Sequence, residues 1–197
     1  RFDEERIMIS FSGGKDSMLM AKLFQELKRH SDVYFELEFI VMNPWYNKNN
    51  LDKIKENLEI LNIEAKIFET DIFEVAAVQV KSPCYLCAKM RRGALYNFAQ
   101  SLNCNKIALG HHKDDLVETL LMNLIFQGSV ATIPPLLQMD KMPIQMIRPL
   151  CLIEEKDIQQ YANLSSYEKQ VKLCPLEKVS NRAEVKQLLT QLEALNP

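Results

Sequence analysis

The sequence predicts an α/β domain built on a parallel β-sheet, and three observations predict it. Short apolar runs alternate with segments whose apolar positions recur at helical spacing. Strands separated by helices call for parallel neighbours joined by right-handed crossovers. Two of the runs end in polar, glycine-containing turns, SGGKDS at 12–17 and GHHKDD at 110–115, and each turn opens a helical segment. Ligands of such sheets bind beyond the carboxyl ends of the strands, where both turns fall.

The elements follow in order. Residues 6–10 (RIMIS) form a first strand. From Asp16, the positions Leu19, Met20, Leu23, Phe24 and Leu27 mark a helix face. Residues 35–42 (FELEFIVM) alternate and then turn wholly apolar, as a strand entering a parallel sheet does, and Asn43-Pro44 ends them. Helical periodicity returns over 51–61, and 64–68 (EAKIF) suits a third strand. A helix is expected over 88–102, a fourth strand over 106–109, and a helix over 114–125 with Leu116, Leu120, Leu121 and Leu124 on one face. Residues 145–148 (QMIR) make a fifth strand before Pro149, and helices over 154–162 and 182–195 close the chain. The Pro- and Met-rich stretch 129–143 reads as an ordered loop over the domain. Residues 1–197 are thus expected to be one domain, with 163–197 a C-terminal extension.

Composition sets bounds on function. Of the 197 residues 47% are apolar and 25% charged, an ordinary globular balance, and the net charge of −2 excludes a uniformly basic protein. No apolar stretch approaches the roughly 20 residues that span a bilayer, so no membrane association is expected. Five cysteines at uneven spacing make a poor disulfide framework. A reducing cytoplasm is the expectation, and there a C-x-x-C more often binds metal or does redox work.

SGGKDS has the physics of a phosphate cradle. Gly13 and Gly14 let the backbone approach an anion, and the first N–H groups of the following helix point outward. Ser10, Ser12 and Ser17 add hydroxyls, Lys15 is placed to neutralise phosphate charge, and Asp16 to hold Mg²⁺ or a lysine. It is not a Walker A loop, because Ile9 stands five before Gly14 and Asp16 follows Lys15 where Ser or Thr belongs. The string resembles instead the S-G-G-x-D-S signature of the PP-loop ATP pyrophosphatases, which split ATP between its α- and β-phosphates.

The segment PCYLCAKMRR (83–92) carries Cys84 and Cys87. The pair fits a redox couple, half a zinc site, or part of an iron–sulfur cluster. No second C-x-x-C exists, which excludes a four-Cys zinc ribbon. Cys104 and Cys151, in or beside apolar segments, read as buried thiols, whereas Cys174, beside Pro175, reads as exposed. Three thiolates with one open position suit a 4Fe–4S cluster.

Taken in order, SGGKDS, C-x-x-C with K-M-R-R-G, ALGHHKDDLVETLLMN, IRPL and C-P…R resemble the TtcA/TtuA family of tRNA thiolation enzymes from about residue 7 to 182. The resemblance is closer to the TtcA branch, the tRNA 2-thiocytidine synthetases, because the flanking zinc C-x-x-C pairs of the TtuA branch are missing. It implies an adenine nucleotide α-hydrolase-like fold and adenylation of a tRNA pyrimidine by ATP, with sulfur delivered through the cluster. An anticodon-loop cytidine is the implied target, with a tRNA uridine, or a small-molecule ligase or amidotransferase reaction, as alternatives. Cys84, Cys87 and Cys174 would hold the 4Fe–4S cluster. The TtcA branch has a distal C-x-x-C pair where this chain has Cys174 alone, and counting back from Arg182 aligns it with the second member. Catalysis would fall to Lys15, Asp16 and Asp115, with Asp114 and Asp115 suited to Mg²⁺. ATP would be held by the SGGKDS residues and Ser10, with Met42, Gly110, His111 and Asp115, Met42 lying where this fold places the adenine. Lys81, Lys89, Arg91 and Arg92 form a basic run fit to grip RNA phosphates, and Arg148 and Arg182 are further candidates. The implied partners are tRNA, a sulfur donor such as a cysteine desulfurase, and a second copy in a homodimer.

Overall fold

A computed structural model describes residues 5–43, 48–78, 83–139, 143–168 and 181–195, without the side chains of residues 73, 77, 83, 84 and 181. Six strands form one sheet: β1 (Arg6–Ser10), β2 (Glu36–Asn43), β3 (Ala65–Glu69), β4 (Lys106–Ala108), β5 (Leu136–Gln138) and β6 (Gln145–Ile147). Their order is β3-β2-β1-β4-β6-β5, parallel throughout except for β5, which runs antiparallel to β6 at the edge. The helices are α1 (Lys15–His30), α2 (Lys48–Ile60), α3 (Ile72–Ala77), α4 (Pro83–Ser101), α5 (Lys113–Gln127), α6 (Glu155–Leu164) and α7 (Asn181–Leu195).

The two-residue period of a strand divides the core in two. Ile7, Ile9, Val41 and Ala108 face α1, α2 and α6, where Met18, Phe24, Ile54, Leu58 and Ile158 fill one layer. Met8, Ile40, Ile107 and Met146 face the other way, against Tyr96 and Ala99 of α4 and Cys104. Met8, Ile9, Ile40, Ile54 and Ile158 are fully buried, each contributing about 1.5–3 kcal/mol of transfer free energy. Phe68 and Phe98 stack at 4.0 Å and pin α4 over β3.

The five expected strands form, the first as expected and the others with ends shifted by a residue. Three elements differ from expectation. The stretch read as a loop contains β5, a three-residue edge strand between prolines that is too short to show alternation. α3, at six residues, is too short to show helical period. α4 begins at Pro83 rather than at residue 88, so the C-x-x-C spans its first two turns, with proline at the position where a missing N–H costs nothing. Among the described residues no helix is long and apolar enough to cross a membrane.

Candidate active site

The turn after β1 is built by short-range bonds. Gly13 has φ 76°, the left-handed region that a side chain disfavours. Gly14 caps α1, and the Ser17 hydroxyl donates to its carbonyl at 2.9 Å. The Ser12 N–H and hydroxyl both reach Ser17 Oγ at 3.2 Å. The loop therefore closes on itself around the buried Ser17 and leaves the start of α1 facing the rim. Lys15 bridges Asp16 at 2.8 Å and Glu155 of α6 at 3.2 Å. Burial lowers the Lys15 pKa, but hydrogen bonds to Asp16 and Glu155 outweigh it and hold the ammonium charged above its ordinary value.

The second turn packs directly onto the first. A Cβ on Gly110 would lie 3.3 Å from the Asp16 carbonyl carbon and the Ser17 nitrogen, so glycine is what lets the two turns touch. The adjacent histidines then part. His111 lines a cavity of about 610 Å³, while His112 tucks beneath it, 5% exposed. His112 Nε2 lies 3.5 Å from Asp115 and 3.9 Å from Asp16, bringing both carboxylates to one imidazole. Burial pushes the His111 pKa down, the neighbouring Arg148 and Arg182 charges add to that, and Asp115 opposes it, so the ring is neutral near pH 7.

Asp114 and Asp115 also part. Asp115 lines the cavity and accepts the His112 N–H at 2.9 Å. Asp114 accepts the Glu155 N–H at 2.7 Å and so anchors the start of α6. Arg182, the first turn of α7, donates to Asp115 and, at 2.6 Å, to the buried Glu118. Burial lowers the Arg182 pKa, and its bonds to Glu118 and Asp115 raise it further than burial lowers it. Lys186, one turn on, pairs with Glu155. At the other side of residues 169–180, Asn57 holds the Glu168 backbone through bonds of 2.9 and 2.8 Å.

The cavity joins these turns to α4. Ser10, Ser12, Asp16, Ser17, Gly110, His111 and Asp115 line one side, and Ala88, Arg91, Arg92, Leu95 and Tyr96 of α4 line the other. Its end is walled by Ile133, Pro134, Leu137, Met146 and Arg148. The half-buried Cys87 opens that same stretch of α4, one turn after Cys84. Cys174 and Lys81 lie outside the described residues. Lys89 is exposed on α4 and outside the cavity lining, and Met42 is buried at the far end of β2. Cys104 is buried, its thiol pushed up to about 11 by burial, whereas Cys151 is half-exposed because it lies in the turn after β6. Arg182, read as an RNA contact, is engaged by two carboxylates.

Sequence reasoning missed Glu155, Glu118 and Tyr96. Tyr96 is buried with its hydroxyl 3.0 and 3.3 Å from the sulfurs of Met139 and Met146. A charged residue on an otherwise apolar helix face, as Glu118 is among the leucines of α5, was the one available signal.

The profile of the PP-loop domain matches residues 1–170. The chain is 36% identical to tRNA-cytidine(32) 2-sulfurtransferase of Shewanella baltica over 99% of its length, and spans 64% of that protein. It is 36% identical to the same-named protein of Alcanivorax borkumensis over 98% of its length, and covers 69% of that relative. Among solved structures, the U34-tRNA thiolase NcsA of Methanococcus maripaludis with its 4Fe–4S cluster superposes with a TM-score of 0.81 at 26% identity. That match covers 98% of this chain and 68% of the thiolase.

Proposed function

Since the chain belongs to the PP-loop family, in the branch of the tRNA-cytidine(32) 2-sulfurtransferases, we propose that it activates a pyrimidine of tRNA with ATP and replaces the base oxygen with sulfur. One observation carries this reading. A single cavity is lined on one side by the ATP-type phosphate turn with Asp115, and on the other by the helix that bears C-x-x-C and two arginines.

A base carbonyl is a poor electrophile because its oxygen leaves badly. Attack of that oxygen on the α-phosphorus of ATP forms the adenylate and expels pyrophosphate, and AMP is then a good leaving group. The residues present fit ATP: the first turn of α1 offers N–H groups to the pyrophosphate part, and Lys15 adds a held positive charge. Stabilising charge that develops on the phosphates is electrostatic and positional work, suited to a turn closed by its own hydrogen bonds. Asp16 and Asp115, set on the same imidazole, would hold Mg²⁺, a hard cation that takes carboxylate oxygens. Asp114, engaged by the α6 backbone, serves by fixing the floor of the site. Cys84 and Cys87, one helical turn apart, fit thiolate ligation, and with Cys174 they would hold a 4Fe–4S cluster. When bound, that group supplies the sulfur that displaces AMP.

Arg91 and Arg92 would steady the RNA backbone, with Lys81 and Lys89 beside them. The sulfur donor would be a cysteine desulfurase or an equivalent source, a homodimer would widen the basic surface, and a tRNA substrate implies work in the cytoplasm.

The test incubates anaerobically purified protein, carrying about four iron and four sulfide, with ATP, sulfide and tRNA, and then measures pyrophosphate and nucleosides. Pyrophosphate release that requires tRNA, with 2-thiocytidine appearing, is expected. Release with small acids or amines alone would move the protein to the ligases, and thiouridine would change the target base.

A further inference from the structure

The cavity is not centred on the phosphate turn. It runs from β1 across β4 and β6 to β5, and no residue of β2 or β3 lines it. Met42, where the adenine is expected, lies at the end of β2 on the opposite side of the turn. The volume toward β5 is therefore left for a second substrate.

That end is apolar, formed by Ile133, Pro134, Leu137 and Met146, with Tyr96 behind it. Its one buried charge is Arg148, 6% exposed. The Arg148 N–H bonds to the Pro135 carbonyl at 2.9 Å, and Nη1 donates to the Pro134 carbonyl. The backbone thus fixes the guanidinium plane in the wall. Nε is buried with no protein partner, as is His111 Nδ1 across the cavity. A buried donor without an acceptor is costly, and a charged one is tolerated where a ligand completes it. Burial lowers the Arg148 pKa, as a guanidinium held away from water requires.

Resting on the thiolation reading, we propose that this end of the cavity is the chamber for the target pyrimidine, with Arg148 the residue that selects cytosine. The ring would lie against the Ile133–Pro134 and Leu137–Met146 walls, and the guanidinium edge carrying Nε would donate to the base. Cytosine presents O2 and N3 as adjacent acceptors. Uracil presents a donor N–H at N3, which meets the same edge with like polarity. A fixed two-donor edge reads adjacent acceptors, a contact worth roughly 5- to 100-fold between matched and mismatched bases.

The experiment uses anticodon stem-loop RNAs carrying cytosine or uracil at the target position. It measures RNA-dependent pyrophosphate release and the Kd of each RNA and of ATP, for wild type, Arg148→Gln, Arg148→Lys and Leu137→Trp, with thermal melts as a check on folding. Wild type should prefer the cytosine RNA by about tenfold or more. Both Arg148 variants should reduce that preference to about twofold, because lysine keeps the charge and loses the planar edge. Leu137→Trp, which fills the chamber from the neighbouring strand, should weaken either RNA far more than ATP. Folded Arg148 variants that keep the full preference, or a Leu137→Trp protein that turns over RNA as wild type does, would overturn the chamber while leaving thiolation standing. A wild type that releases no pyrophosphate with any RNA would overturn both.

Discussion

The phosphate turn and the α5–α7 contact meet at one rim but are held together differently. The turn is closed by bonds between residues five or fewer apart, Ser12 with Ser17 and Ser17 with Gly14. The α5–α7 contact depends on Arg182, which reaches back 64 and 67 residues to Glu118 and Asp115. The closing bonds of the first lie within its own six residues. The second exists only once the whole chain has folded, so it is where the site is most easily broken.

The largest effect is therefore expected from Arg182→Met. It leaves the buried Glu118 carboxylate without its guanidinium, and because Arg182 itself is 44% exposed, water offsets part of the loss, leaving a cost of about 1–3 kcal/mol. The melting temperature should fall by several degrees. On the proposed reading, ATP–Mg²⁺ affinity should change as well, because Asp115 loses the Arg182 guanidinium. Adding Glu118→Gln to the same protein should recover most of the stability, since the orphaned charge is gone, but should not return the Asp115 geometry. A double-mutant cycle by chemical denaturation separates the two. Independent losses that simply add would show that α7 is held by Val185 and its apolar neighbours rather than by the clamp.

Gly110→Ala probes the other region. Its Cβ would press on backbone atoms of Asp16 and Ser17 at 3.3 Å, which have no flexible end to move aside. Overpacking of this kind costs about 1–2 kcal/mol. Because the strain falls on the first turn of α1, ATP affinity should drop several-fold while the α5–α7 contact is untouched. Isothermal titration with a non-hydrolysable ATP analogue measures it, and unchanged affinity would mean that the two turns are not rigidly coupled.

This contrast also explains what could be read from the sequence. SGGKDS, GHHKDD and the strands beneath them were legible because each is specified by neighbours in the chain: glycine conformation, strand alternation and helical period. The adjacent pair Asp114 and Asp115 was not separable by sequence. Which carboxylate faces the cavity depends on α6 arriving to use the other one. Likewise Arg182 carried the look of a basic RNA contact, because nothing local says that Glu118, sixty-four residues away, needs it. β5 escaped notice because three residues cannot show a period, yet the far wall of the cavity rests on it.

The smallest effect concerns Glu155, which links the two regions by pairing with Lys15 of the turn and Lys186 of α7. Burial pushes its carboxyl upward, and the two lysines more than reverse this, bringing it from 4.5 to about 2. A carboxylate with a depressed folded pKa stabilises the fold above its unfolded pKa and ceases to do so as pH falls through the folded value. The stabilisation is thus complete above about pH 4.5 and disappears between there and about pH 2. Glu155→Gln should accordingly cost about 1 kcal/mol at pH 7, since the ion pairs are part-exposed and screened. The difference from wild type should vanish near pH 2. Its neighbour Glu154 is drawn equally low by the hydrogen bonds and charges of Lys113 and Lys156, but both of these partners lie outside the phosphate turn and α7. Glu154→Gln should therefore leave ATP affinity unchanged, whereas Glu155→Gln should weaken it modestly by freeing Lys15 from its position. Equal effects of the two substitutions on ATP binding would place the link between turn and α7 somewhere other than Glu155.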